Sequence, residues 1–137
     1  MITAIDTSVL FDFLLGDPVH GQPSGSALRE ASAEGRLVAC GPVWAETRAG
    51  IGAAALGDAL DDLGIHFDPI TRQSAELAGR LWAEYRARGG GRRDRIVADF
   101  LIGAHALEQA DRLLTRDHGF YRDYFAELAV LAPAAAP

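Results

Sequence analysis

The chain has 137 residues, 49% of them hydrophobic, and a formal net charge of −6, which suits one compact domain and argues against wholesale disorder. The charge opposes attachment to nucleic acid through the whole surface. No apolar stretch approaches the roughly 20 residues that span a bilayer, and MITAIDTSVL lacks the basic start of a signal peptide. One cysteine, Cys40, excludes an internal disulfide framework and suits a reducing compartment, so the expected location is cytoplasmic.

In chain order, ITAID reads as a short buried strand, with a helix following through TSVLFDFLL. GDPVHGQPSG is expected as a loop, SALREASAEG as a helix and RLVAC as the second strand. GPVWAETRAG opens a helix with proline in its first turn, where the missing N–H costs little. IGAAALGDALDDLG continues it, with a break at a glycine. IHFDPI is the third strand, and TRQSAELAGRLWAEYRARG is a long helix for which Thr71 is a suitable N-cap. RIVADFLIGAHAL is a further helix, ADRLLTRD a short strand, HGFYRDYF a short helix and ELAVLAP the last strand. One domain thus covers residues 1–132, and residues 133–137 form a short flexible C-terminal tail. Short apolar strands alternating with helices indicate an α/β fold, its largely parallel sheet covered by helices on both faces. In such folds the site usually lies beyond the carboxyl ends of the strands.

The acids fall on that edge. Asp6 ends the first strand and Asp117 follows the LLT strand, each opening a helix. Glu46 lies in the first turns of the helix after the second strand. In RIVADFLIGAHAL, a helical wheel groups Ile96, Val97, Phe100, Ala104 and Leu107 on one face, with Asp99 about 60° from Ile96 at its border. Asp99 can therefore look sideways into a groove. Four gathered carboxylates repel one another unless neutralised. Oxygen donors without a Cys/His cluster suit Mg²⁺, with Mn²⁺ as a substitute, and disfavour structural zinc. The chemistry of such an ion is water activation and stabilisation of charge on a transferring phosphoryl group.

Four segments, ITAIDTSVLFDFL, VWAETRAG, RIVADFLIGAHAL and LLTRDHGFYRDYF, together resemble the PIN domain, and more closely the VapC-type toxins of toxin–antitoxin pairs. The likeness spans the chain up to its alanine-rich tail. It implies a five-stranded parallel sheet and a Mg²⁺-dependent endoribonuclease. Asp6, Glu46, Asp99 and Asp117 are then the catalytic and metal-binding acids, some acting through water. Thr7 and Thr115 are supporting hydroxyls that orient carboxylates. Water attack on phosphorus would leave 5′-phosphate and 3′-hydroxyl ends. The resemblance also implies a homodimer and a small cognate antitoxin carrying a DNA-binding domain. Asp12 and Asp94 are extra acids close to the motif positions.

Plainer readings compete. Asp6 and Asp117 could serve only as helix N-caps, and Glu46 could pair with Arg48 or Arg29. All 13 basic residues are arginines. Arg88, Arg92, Arg93, Arg95 and Arg116 are candidates for RNA phosphate contact, or equally a solvated rim with Arg95 paired to Asp99 at i,i+4. His105 reads as a packing histidine, and His118 as a weaker candidate for substrate contact. Trp44, Trp82, Tyr85, Phe11, Phe13 and Leu14 read as helix packing or a dimer surface. The rival functions are a non-catalytic PIN-like RNA-binding or assembly module and another Mg²⁺-dependent α/β phosphoryl hydrolase. A phosphatase of the haloacid-dehalogenase type wants an aspartate where Ser8 stands, and a receiver domain wants a lysine, which this chain lacks.

Overall fold

The computed structural model describes residues 1–52, 59–89 and 95–135. Its elements are β1 (Ile2–Ile5), α1 (Thr7–Leu14), α2 (Gly21–Glu34), β2 (Arg36–Ala39), α3 (Gly41–Ile51), β3 (Ile65–Phe67), α4 (Arg72–Arg88), α5 (Val97–Gln109), β4 (Arg112–Leu114), α6 (His118–Tyr124) and β5 (Val130–Leu131). The five strands form one sheet in the order β3-β2-β1-β4-β5, and every pairing is parallel. Thr3, Ala4 and Ile5 are successive and all buried. Because side chains alternate across a strand, β1 is covered on both faces.

This strand order positions the site. The chain runs outward from β1 through β2 to β3, then returns to the other side of β1 for β4 and β5. The reversal lies between β1 and β4, where open parallel sheets leave a crevice at their carboxyl ends. Thr3, Ala4 and Ile5 stand in register with Arg112, Leu113 and Leu114. The residues after these two strands, Asp6 and Thr115, therefore emerge side by side.

Most expected boundaries hold. Thr71 caps α4 by accepting from the Ser74 N–H, and Pro42 sits in the first turn of α3. That helix stops at Ile51 with Gly52 at φ 80°; residues 53–58 lie outside the described part, and residues 59–62 are helical again. The expected loop GDPVHGQPSG is shorter than its composition suggests, because α2 begins at Gly21 and absorbs GQPSG. Pro23 falls within the first turn of that helix, where no backbone donor is needed. A Cβ on Gly25 would stand 2.7 Å from the Phe13 ring, so glycine here permits α1 and α2 to pack closely. The expected tail begins after β5 without regular structure, and residues 136–137 lie outside the described part.

Helix α5 differs from expectation at its start. Ile96 is the N-cap rather than a core residue, and Ile96 and Val97 are 59% and 37% exposed. The buried side is carried by Phe100, Ile102, Ala104, His105 and Ala106. Phe100 anchors this end of the helix, its ring 5.4 Å from Tyr85, 5.3 Å from Phe120 and 5.8 Å from Tyr124. Asp99 consequently stands in the first turn, beside a fixed aromatic core.

Candidate active site

Asp6 follows β1 and caps α1. Its Oδ1 accepts the Thr7 N–H at 2.8 Å. Its Oδ2 accepts the hydroxyls of Ser8 at 3.2 Å and Thr115 at 2.6 Å. The residue is only 7% exposed. Burial pushes its pKa up; the hydrogen bonds from Thr115, Ser8 and Thr7 oppose the rise, and the charge of Glu46 adds to it.

The two threonines connect this carboxylate to its neighbours. Thr7 Oγ1 donates to Glu46 Oε1 at 2.8 Å, joining α1 to α3. Buried Thr115 Oγ1 accepts the backbone N–H of Asp117 at 2.9 Å while donating to Asp6. The Asp117 side chain caps no backbone group of α6. It pairs instead with Arg95, whose Nη1 lies 2.5 Å from Oδ2 and whose guanidinium carbon lies 4.2 Å from the Phe120 ring centroid. The ion pair formed by Arg95 is therefore with an acid 22 residues away rather than the expected i,i+4 contact with Asp99.

Asp99 reaches back to accept the Ile96 N–H on Oδ2 at 3.0 Å, half of a capping box. Its charge bears on Tyr121 together with those of Asp6 and Asp117. The hydroxyl pKa of this buried residue is driven up first by burial, then by the charges of Asp6, Asp99 and Asp117, while Arg95 lowers it. Three acids from three segments thus act on one buried phenol. Tyr121 carried no distinguishing signal in HGFYRDYF, because its environment is made by residues distant in sequence.

Among the described residues, no three His, Cys, Asp or Glu side chains close into a ready coordination shell. The donor set nevertheless fits a small hydrated cation. Asp6, Glu46, Asp99 and Asp117 offer only oxygen, and Mg²⁺ usually keeps several waters while taking one or two carboxylates directly. Among the described residues, the hydrogen bonds that join Asp6, Glu46 and Asp117 run through the Thr7 and Thr115 hydroxyls and backbone N–H groups, with no histidine or thiol.

The remaining candidates separate. Arg116 is held by Asp12, with Nε at 2.5 Å from Oδ2 and Nη2 at 2.9 Å from Oδ1; this pairing raises the guanidinium pKa. Asp12 is buried and also accepts from Ser24 Oγ at 2.8 Å. Arg88 is exposed in the last turn of α4, whereas Arg92, Arg93 and Asp94 lie outside the described residues. His105, 1% exposed, packs with its Nε2 2.8 Å from Asp68 Oδ2, and His118 is exposed at the start of α6. Trp44 stacks edge-on with Phe67, Arg86 covers Trp82, and Tyr85 joins the aromatic core. A separate cavity of about 870 Å³ lies between the end of α1 and the start of α2, lined in part by Phe13, Val19, Pro23 and Arg29. None of the four acids borders it.

Acids gathered at the topological switch point of a five-stranded parallel sheet define an α/β domain with a carboxylate-lined edge. The model of the PIN domain family matches residues 3–125, and the chain belongs to that family. Among solved structures, VapBC2 from Rickettsia felis, bound to a promoter DNA fragment, is similar at 19% identity and a TM-score of 0.71, over 98% of this chain and 100% of that one. VapBC-1 from nontypeable Haemophilus influenzae is similar at 18% identity and a TM-score of 0.71, over 96% and 98%. The sarcin-ricin loop cleaving toxin VapC20 of Mycobacterium tuberculosis is similar at 16% identity and a TM-score of 0.53, over 81% and 86%. Comparison with curated protein sequences gives no match. No helix among the described residues is long and apolar enough to cross a membrane.

Proposed function

We propose that this protein is a Mg²⁺-dependent endoribonuclease and the toxin of a toxin–antitoxin pair. The observation that carries this reading is the linked set Glu46–Thr7–Asp6–Thr115–Asp117 at the switch point, with Asp99 in the first turn of α5. Asp6, Asp99 and Asp117 would hold Mg²⁺ or Mn²⁺, with Glu46 contributing directly or through water. When bound, the ion supplies water activation and stabilisation of charge on the phosphoryl group.

The chain's own groups do the rest. Thr7 fixes Glu46 through Oε1, so that this carboxylate can orient the attacking water. Thr115 and Ser8 hold Asp6 in one orientation, which reduces reorganisation during reaction. Arg95 lies beside Asp117 and is placed to meet a phosphate oxygen of the substrate. Both arginines are held by an acid, Arg116 by Asp12 and Arg95 by Asp117; phosphate contact is assigned to Arg95 because its own guanidinium flanks Asp117. Hydrolysis by water leaves a 5′-phosphate and a 3′-hydroxyl.

Several similar structures are toxin–antitoxin complexes, and three of the similar structures carry DNA, in one case a fragment of their own promoter. They support pairing with an antitoxin; the homodimer, the cytoplasmic location and the antitoxin's DNA-binding domain are what the family resemblance implies. The test is cleavage of RNA with and without Mg²⁺ or Mn²⁺, with mapping of product ends, beside Asp6→Asn. Metal-dependent products with 5′-phosphates, absent in the variant, support the assignment. A 2′,3′-cyclic end would make the RNA sugar the nucleophile and overturn the mechanism. Binding without cleavage by the metal-loaded protein would favour a non-catalytic PIN-like module.

A further inference from the structure

Asp12 is a buried acid that the proposed reaction does not use. It is 3% exposed on α1, and Arg116 approaches it with a bidentate fork at 2.5 and 2.9 Å while Ser24 donates a third bond at 2.8 Å. Arg116 stands between Thr115 and Asp117, in the short connection from β4 to α6. Its backbone N–H also donates to Ser8 Oγ at 3.3 Å, and Ser8 in turn donates to Asp6 Oδ2 at 3.2 Å. The connection is therefore pinned to α1 twice, once through each end of the same arginine.

Such a pair is a poor device for stability alone. Desolvating a carboxylate cancels much of its attraction to a guanidinium, and an apolar pair of similar volume often does as well. What a two-pronged contact does supply is a fixed geometry. The residue fixed here lies between the hydroxyl that holds Asp6 and the acid Asp117. We infer that Asp12 and Arg116 are positioning residues: their ion pair locks the β4–α6 connection onto α1 and so sets Asp117 against Asp6 for metal binding. This rests on the proposed metal-dependent function. In this role the two act through Asp117 rather than on the cation or the substrate.

The experiment is Mn²⁺ titration by calorimetry, beside thermal unfolding of the metal-free proteins, for wild type, Arg116→Met, Asp12→Asn/Arg116→Met and Arg116→Lys. Arg116→Met leaves a buried unpaired carboxylate, so its Tm falls and its Mn²⁺ affinity drops at least about tenfold. The double variant removes that stranded charge and recovers most of the Tm, yet keeps the affinity loss. Arg116→Lys retains the charge and a near-native Tm but loses the fork, and also binds Mn²⁺ more weakly. Wild-type affinity in the double variant or in Arg116→Lys, with wild type itself binding, overturns the positioning role while leaving the metal site intact. A wild-type protein that fails to bind Mn²⁺ overturns the metal-dependent function itself, and this inference with it.

Discussion

Thr115 Oγ1 lies 2.6 Å from Asp6 Oδ2, although 109 residues separate the two in sequence. The same hydroxyl accepts the Asp117 N–H at 2.9 Å. Thr115→Val keeps the shape but removes both bonds, leaving a buried carboxylate without its shortest partner and a backbone donor unpaired. The expected loss is roughly 2–4 kcal/mol of stability, measured by urea unfolding of the metal-free protein. Unchanged stability would mean that the hydroxyl contributes nothing to holding the two segments together.

Asp99 caps the start of α5 and is a proposed metal ligand, and Asp99→Asn divides the two. An asparagine oxygen can still accept the Ile96 N–H that Asp99 now accepts at 3.0 Å, so stability should change by less than about 0.5 kcal/mol. The carboxylate charge is lost, and RNA cleavage at saturating Mg²⁺ should fall by about 100-fold or more. Full cleavage by a normally folded variant would reduce Asp99 to a helix cap.

His105 tests the opposite assignment. Its ring is buried against Asp68, and Gln109 shares the same carboxylate oxygen at 3.2 Å. His105→Ala should cost about 2–4 kcal/mol through the cavity and the lost hydrogen bond. Cleavage per folded molecule should stay at the wild-type value. A selective loss of cleavage with normal stability would move His105 from the core into the reaction.

The sheet and its acids were legible because both are local signals. A short apolar run ending in Asp, followed by helical spacing, marks a strand end whichever partner it pairs with. Asp6 and Asp117 followed from this pattern, and the parallel sheet brought them together. Asp12 and Arg116 were not legible as a pair, since 104 residues lie between them and neither belongs to a local pattern. Ile96 and Val97 misled because hydrophobicity reports a preference for burial rather than burial itself, and single exposed apolar residues are ordinary. The start of α2 misled for a tertiary reason: Gly25 looks like a loop residue, yet the Phe13 ring occupies the space a side chain would need.

Cys40 gives a prediction that depends on pH. It is buried, and burial foremost, with the charges of Asp6 and Glu46 adding, pushes its thiol from 9.0 up to about 11. The fold thus favours the neutral thiol. Its contribution to stability is whole below the unfolded value near 9 and is lost as pH rises through about 11. Comparing urea unfolding of wild type and Cys40→Ala cancels other alkaline titrations, including that of Tyr121. Wild type should be the more stable at about pH 8, because the variant leaves a small cavity. That gap should narrow by up to about 3 kcal/mol between about pH 9 and about pH 11, from roughly 1.36 kcal/mol for each pKa unit. A constant gap would mean that the thiol ionises equally in the folded and unfolded chains, and that the wall of β2 beneath the acids is open to water.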